Sequence, residues 1–154
     1  MRKISYLIAG GIVLVCLSGC DSTAQELSCT LSRNDKVNGY TLESTYNVTA
    51  NGNVVEKVVT KEAVTTDDAE LLSTFENQFD TTYSAMNEAY GGYTFKVTKK
   101  DNTVTSDVTI DYTKVDLDTL AKDEPTVKNL MNNNNQITLD KLKQSYESMG
   151  ATCK

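Results

Sequence analysis

The sequence predicts an α+β domain. It consists of an antiparallel sheet of about five strands, arranged as two β-hairpins, packed against a long central helix and a C-terminal helix. Apolar and polar residues alternate over most of residues 26–64 and 93–112, as expected for half-buried strands. The apolar spacing changes to that of an amphipathic helix over residues 67–90 and again after residue 138. Runs of strands separated from runs of helix are typical of the α+β class.

The first predicted hairpin begins with alternating apolar residues from Leu27 to Leu31. In the next strand one face is apolar apart from a serine, and the other is polar. The apolar face carries Tyr40, Leu42, Ser44, Tyr46 and Val48. Asn51-Gly52 predicts a two-residue type I′ turn, because both residues tolerate positive φ. Val54–Val64 is the return strand, but its doubled valines leave open which residues face inward.

A single long helix is predicted between the two hairpins. Asp67, followed by Glu70 three residues later, predicts its start. Gly91-Gly92 predicts its end. We interpret its apolar stripe as the face that covers the sheet, the alternative being the wall of a ligand groove. The stripe consists of Leu72, Phe75, Phe79, Tyr83, Met86 and Tyr90.

The second hairpin has inward-facing Tyr93, Phe95 and Val97 and a turn at Asp101-Asn102. Its return strand has one apolar face and one wholly polar face. The apolar face carries Val104, Ser106, Val108, Ile110 and Tyr112. The inward tyrosines of both hairpins predict core positions, and an uncovered sheet face would instead let some of them bind a partner.

The C-terminal part is predicted to be helical with irregular joints. A short turn surrounds Leu120, and Pro125 opens a further helical segment. Thr138 is predicted to cap a last helix that Gly150 closes, with Leu139, Leu142, Tyr146 and Met149 as its apolar positions.

The N-terminus has the layout of a bacterial lipoprotein signal. Arg2 and Lys3 precede an uncharged run from Ile4 to Leu17, and Leu17-Ser18-Gly19-Cys20 follows as a lipobox. Cleavage between Gly19 and Cys20 would leave Cys20 to be lipidated, with palmitate among the expected acyl chains. An uncleaved membrane span is one alternative, but the run is shorter than the ~20 residues that a span needs. An ordinary signal peptide with an accidental cysteine is the other.

This signal defines the predicted organisation and location. Residues 1–19 are the signal peptide, residues 20–25 the lipidated N-terminus with a short linker, and residues 26–154 a single α+β domain. The expected location is the extracytoplasmic face of the cell membrane, with the lipid on Cys20 as anchor. Removing Arg2 and Lys3 lowers the basic count from 15 to 13 against 21 acids, so the net charge changes from −6 to −8. An acidic domain of this kind disfavours nucleic acid as a partner.

Two cysteines remain in the predicted mature domain, Cys29 and Cys153. Outside the cytoplasm two such thiols tend to pair, so we expect a structural disulfide between them. Two separate buried thiols and a redox pair are the alternatives, and the absence of a Cys-x-x-Cys motif argues against the redox pair.

The whole chain resembles the YehR-like family of small bacterial lipoproteins. The resemblance is carried by the lipobox, the hairpin around Asn51-Gly52, the helix from Asp67, the segment 108–117 (VTIDYTKVDL) and the C-terminal helix ending near Met149-Gly150. It implies an exported α+β domain and no particular activity.

The composition offers little material for catalysis. The absence of histidine removes the usual general base and the commonest metal ligand. Carboxylates remain, clustered at Asp67/Asp68, Asp116/Asp118 and Asp123/Glu124, but no pattern places two of them across a cleft. The spacing around Asp116 lacks the glycine and terminal glutamate of a calcium loop. We therefore expect no catalytic residues, no metal and no cofactor.

The function expected from these observations is non-enzymatic binding at the cell envelope. An envelope protein or cell-wall material would be the partner. A carboxylate-based envelope hydrolase and an accessory solute-binding lipoprotein are the alternatives, the latter disfavoured because such proteins usually need two lobes.

Overall fold

Six antiparallel strands and three α-helices make up residues 23–154, the part of the chain that the computed structural model describes. The predicted cleavage at Gly19 and lipidation of Cys20 lie outside these residues. The elements are β1 (Ala24–Asp35), β2 (Tyr40–Asn51), β3 (Val54–Thr65), α1 (Ala69–Tyr90), β4 (Tyr93–Lys100), β5 (Thr103–Asp111), α2 (Leu117–Asp123), a 3₁₀ helix (Pro125–Leu130), α3 (Leu139–Ser148) and β6 (Thr152–Cys153). No helix within 23–154 has both the length and the apolar character needed to cross a membrane.

The strand order in the sheet is β4-β5-β3-β2-β1-β6. The predicted α+β class, the two hairpins and both packed helices are therefore confirmed. The sixth strand is the two-residue β6, which pairs with β1 through Cys29↔Cys153 and Thr30↔Thr152. Strand β1 starts at Ala24, so the last two residues of the predicted linker belong to the sheet.

The turn between β2 and β3 lies one residue later than predicted. Asn51 pairs with Val54, so Gly52 and Asn53 are the two central residues. Gly52 has φ 57°, whereas Asn53 is not among the residues with positive φ. Glycine at the first central position is characteristic of a type II′ turn, and not of the predicted type I′ turn.

A β-bulge in β3 explains its blurred alternation. Thr49 pairs with Lys57 and Ala50 with Val55, which leaves Glu56 as the extra residue. Because of this extra residue, Val55 and Val58 are both buried although they are three positions apart. From Val58 to Val64 the even-numbered residues of β3 therefore face the core.

The helices α1 and α3 lie on the same face of the sheet. On β2, Tyr40 contacts Phe75 of α1, and Tyr46 stacks on Tyr146 of α3. We call this the inner face. No helix of residues 23–154 covers the opposite, outer face, which is rich in threonine, with Thr30, Thr45, Thr49, Thr94, Thr98, Thr105 and Thr109 among its residues.

The inner face holds two apolar clusters. Under α3, the first is built around Val48, Val58, Ile137 and Leu142. Under α1 and α2, the second is built around Tyr93, Val108, Val115 and Leu120. The predicted stripe of α1 packs on the sheet, but Leu72 is its only fully buried member.

Both long helices are capped differently from the predictions. The Asp68 carboxylate, and not that of Asp67, accepts hydrogen bonds from the first backbone N–H groups of α1, at 2.9 and 3.0 Å. Thr138 is the residue before α3, but its hydroxyl donates to the Leu130 carbonyl. Asn53, from the turn between β2 and β3, instead accepts from the Asp140 N–H of α3. The apolar position predicted at Met149 is wrong, since that residue is 46% exposed.

Candidate functional site

The two helices leave part of the inner face incompletely covered. Helix α1 packs mainly over β4 and β5, whereas α3 packs against β1 and β6. Between them, Tyr40, Leu42 and Tyr46 of β2 and Glu62 of β3 remain half-exposed. We call this region, together with the buried Ser44 and Ser106 beside Glu62, the inner strip.

Strand register places three polar side chains side by side in the inner strip. Glu62 is paired with Ser44 on β2 and with Ser106 on β5. Side chains directly opposite one another in antiparallel strands have Cβ atoms about 4.5–5.5 Å apart. The three residues therefore form a continuous polar row across β2, β3 and β5, on a face that is otherwise largely apolar.

Only one oxygen of the Glu62 carboxylate is engaged. Its Oε2 accepts hydrogen bonds from the Tyr83 hydroxyl at 2.7 Å and from the Ser106 hydroxyl at 3.0 Å. Its Oε1 receives no hydrogen bond from residues 23–154, and no lysine or arginine nitrogen of that range lies within salt-bridge distance of the carboxylate. The carboxylate is therefore held by two hydroxyl donors, and its second oxygen is left for solvent or a ligand.

The two nearest phenols are kept protonated. Burial, followed by the negative charge of Glu62, raises the pKa of Tyr83. Burial also raises the pKa of Tyr46, and the Glu62 charge adds to the effect. Tyr83 therefore acts as a hydrogen-bond donor to Glu62 at neutral pH.

Ser44 is the other distinctive member of the row. The residue is 3% exposed, and its Oγ makes no hydrogen bond of good geometry with any group of residues 23–154. It lies close enough to the Tyr46 hydroxyl to lower the pKa of that phenol by a hydrogen-bonding contact, although the contact falls short of a full hydrogen bond. Ser44 is therefore a buried and incompletely satisfied hydroxyl opposite Glu62 in the polar row.

Aromatic rings flank the polar row on both sides. On the α3 side Tyr46 and Tyr146 stack with ring centroids 4.4 Å apart. On the α1 side consecutive rings contact one another at centroid distances of 5.1 to 6.5 Å. This second series runs through Tyr40, Phe75, Phe79, Tyr83 and Phe95. Glu62 lines none of the main cavities in residues 23–154.

The structure places the predicted cysteine pair together. Cys29 and Cys153 are joined by a disulfide between β1 and β6, and Cys29 is fully buried. Of the tyrosines predicted to face inward, Tyr93 is buried, whereas Tyr40, Tyr46 and Tyr112 are half-buried.

Each predicted carboxylate cluster has at least one member that accepts hydrogen bonds within the domain. Asp68 caps α1, Asp116 caps α2, Asp118 accepts from the Asn135 amide, and Asp123 accepts from the Tyr90 hydroxyl at 3.4 Å. Hydrogen bonds from neighbouring groups lower the pKa of Asp35, Asp111, Asp116 and Asp140. Within residues 23–154 there is no group of three or more histidine, cysteine, aspartate or glutamate residues arranged to hold a metal ion.

Sequence reasoning missed Glu62. The doubled valines of β3 left open which residues of the strand face inward. The bulge at Glu56 also changes the inward-facing positions from odd-numbered at Val55 to even-numbered from Val58 onward. Counting back in twos from Val64 to Glu62, Thr60 and Val58 gives the correct inward face. The alternation in the second half of the strand alone therefore indicates that Glu62 faces inward.

No protein-family model matches the chain, and no curated relative does. Two solved structures are similar to it. The NMR structure of the E. coli YehR protein has a TM-score of 0.54 and 22% sequence identity, covering 85% of this chain and 92% of that one. An NMR structure of a protein from Streptococcus pneumoniae TIGR4 has a TM-score of 0.49 and 16% identity, covering 100% of this chain and 99% of that one. The similarity to the E. coli protein shows a YehR-like fold.

Proposed function

We propose that the protein is a YehR-like lipoprotein, anchored through Cys20 to the extracytoplasmic face of the cell membrane, whose domain is a non-enzymatic binding module. The inner strip carries this proposal. It presents on one surface half-exposed aromatic rings and a carboxylate oxygen that receives no hydrogen bond from residues 23–154. A bound partner would donate to that oxygen and cover the rings.

The lipobox and the start of the sheet both support the anchor. The backbone N–H of Gly52 donates to the Thr23 carbonyl at 3.0 Å, so Thr23 is already attached to the sheet. Three residue steps separate Cys20 from Thr23, a reach of roughly 10 Å at full extension. The module would therefore be held close to the bilayer, and its partner would be an envelope protein or cell-wall material near that surface.

Substitution of the lipidated cysteine tests the anchor. Cys20→Ser in the full chain should leave the protein unprocessed or release it from the membrane fraction, because serine cannot form the thioether. Cys16→Ser is the matched control, since it lies in the same signal but outside the lipobox, and it should fractionate as the unchanged protein does. A Cys20→Ser product that stays in the membrane fraction at the processed size would overturn the anchor.

Site-specific crosslinking tests the binding surface. A photo-crosslinking residue at position 42 reports on the inner strip, and one at position 45 reports on the outer face of the same strand. We expect a discrete crosslinked species in intact cells from position 42 and none from position 45. Equal crosslinking from both positions, or none from position 42, would contradict the proposal.

A further inference from the structure

We propose that the ligand group recognised by the inner strip is a primary ammonium carried on an aliphatic stem. This inference rests on the binding function proposed above and names the chemistry of its target. Its place in the fold is the polar row of Ser44, Glu62 and Ser106, at the Glu62 Oε1 side.

Glu62 lacks a counter-charge within residues 23–154. The Glu62 carboxylate is partly withdrawn from solvent and has no cation within salt-bridge distance in residues 23–154. Arg33 lies on the inner face of β1, but it is exposed and forms no salt bridge with Glu62. A cationic ligand would supply the missing counter-charge, and the negative charge of the mature chain would favour its approach.

The hydrogen-bond capacity left on Glu62 favours an ammonium over a guanidinium. An arginine-like guanidinium binds a carboxylate best through both oxygens at once. Here Oε2 is already occupied by the Tyr83 and Ser106 hydroxyl groups, which leaves Oε1 alone. An ammonium is a point charge with three donors, so it can bind a single carboxylate oxygen.

The surroundings fit the stem of such a ligand. Leu42 and Tyr46 are half-exposed neighbours of Ser44 on β2, and Tyr146 stacks on Tyr46. Apolar side chains can cover methylene groups, and aromatic faces attract a cation through their quadrupole. A free alkylamine and a lysine side chain of a peptide share this chemistry.

Titration of the full mature protein in detergent micelles tests the inference. The probes are n-pentylammonium, n-pentanol as its neutral counterpart, and the peptide acetyl-Gly-Lys-Gly-amide, and NMR shifts of the inner strip provide the readout. We expect pentylammonium to bind at least about tenfold more tightly than pentanol, because a charge-assisted hydrogen bond is lost with the charge. Binding of the peptide as well as pentylammonium would assign a lysine source, and binding of pentylammonium alone would assign a free amine.

Three substitutions localise the effect. Glu62→Gln keeps the shape of the side chain and should weaken pentylammonium binding about tenfold while leaving pentanol unchanged. Glu43→Gln, on the outer face of β2, is the matched control and should have no effect. Removing the nearby positive charge with Arg33→Gln should strengthen pentylammonium binding.

Two results would overturn the inference. One is equal affinity of the unchanged protein for pentylammonium and pentanol, which needs no variant to fold. The other is unchanged pentylammonium affinity in a folded Glu62→Gln protein. If either occurs while crosslinking from position 42 persists, the ligand class is wrong and the binding module stands. If that crosslink is absent as well, both proposals fail.

Discussion

Ser44 and Ser106 flank the same glutamate from neighbouring strands, yet their hydroxyl groups differ in their hydrogen bonding. Ser106 donates to Glu62 at 3.0 Å, whereas Ser44 makes no hydrogen bond of good geometry within residues 23–154, and both residues are almost fully buried. The Ser106 hydroxyl therefore contributes a hydrogen bond to the fold, and the Ser44 hydroxyl does not.

Alanine substitution of each serine should therefore have opposite effects. Ser106→Ala should lower the free energy of unfolding by about 1.5–3 kcal/mol, because it removes a hydrogen bond to a charged acceptor. Ser44→Ala should leave it unchanged or raise it by up to about 1 kcal/mol, because it removes an unsatisfied buried hydroxyl. Urea denaturation midpoints measure both. A loss in Ser44→Ala as large as that in Ser106→Ala would mean that Ser44 has a partner in the fold.

Asp111 at the end of β5 provides a pH-dependent contribution to stability. Hydrogen bonds from Lys114 and Thr113 lower the pKa of its carboxyl from 3.8 to about 2. A lowered folded-state pKa contributes stability that is fully present above about pH 4 and is lost as the pH falls towards 2.

Replacing Asp111 with asparagine should remove this dependence. Thermal unfolding of Asp111→Asn at pH 7 should occur at a slightly lower temperature than that of the unchanged protein, with a smaller further decrease between pH 4 and pH 2.5. Asp80→Asn, at an exposed position of α1, serves as the comparison. Parallel pH profiles for Asp111→Asn and the unchanged protein would contradict the assignment.

At the scale of elements, the start of α1 depends on one of two adjacent aspartates. Asp68 accepts from two N–H groups of the first turn, whereas within residues 23–154 Asp67 accepts only from the Asn102 side chain. Asp68→Ala should lower the free energy of unfolding by about 0.5–2 kcal/mol, the usual cost of losing an N-cap. Asp67→Ala should cost less than about 0.5 kcal/mol, as for most surface changes. Chemical denaturation of the two variants tests the assignment, which would be reversed if Asp67→Ala were the more damaging.

Local sequence patterns predicted some of the elements correctly and missed features set by distant residues. Alternation and the helical stripe predicted β2, β5 and α1 correctly, since each has one buried face and a regular register. They did not predict the bulge at Glu56, because an inserted residue is set by pairing with β2 and Tyr112 rather than by neighbours in the chain. The cap of α3 comes from Asn53, which is 87 positions away, and no local pattern encodes it.

The candidate site was beyond prediction for a similar reason. Ser44 was assigned to the inner face, but its neighbours Glu62 and Ser106 come from other strands. Which strands are adjacent is a property of the sheet order, and β5 lies between β3 and β4 although it follows both in sequence. Only that order brings the three polar groups into one row.

On the scale of the whole molecule, the Cys29–Cys153 disulfide joins residues 124 positions apart. Crosslinking over so long a loop restricts the unfolded chain, so Cys29→Ala together with Cys153→Ala should lower the free energy of unfolding by about 2–5 kcal/mol. Alanine avoids placing a polar group at the fully buried Cys29. The unchanged protein under reducing conditions should denature at the same midpoint as the double variant. An unaffected midpoint in both would show that the bridge does not stabilise the domain.

The same bridge determines how the molecule responds to proteolysis. Because the disulfide joins Cys29 to Cys153, the chain between them forms a closed ring. A single cleavage anywhere in that ring opens it without releasing a fragment. A nicked molecule would migrate as one species until a reductant is added and as two afterwards. The severed halves would also remain at high effective concentration, so the sheet could re-form around the break.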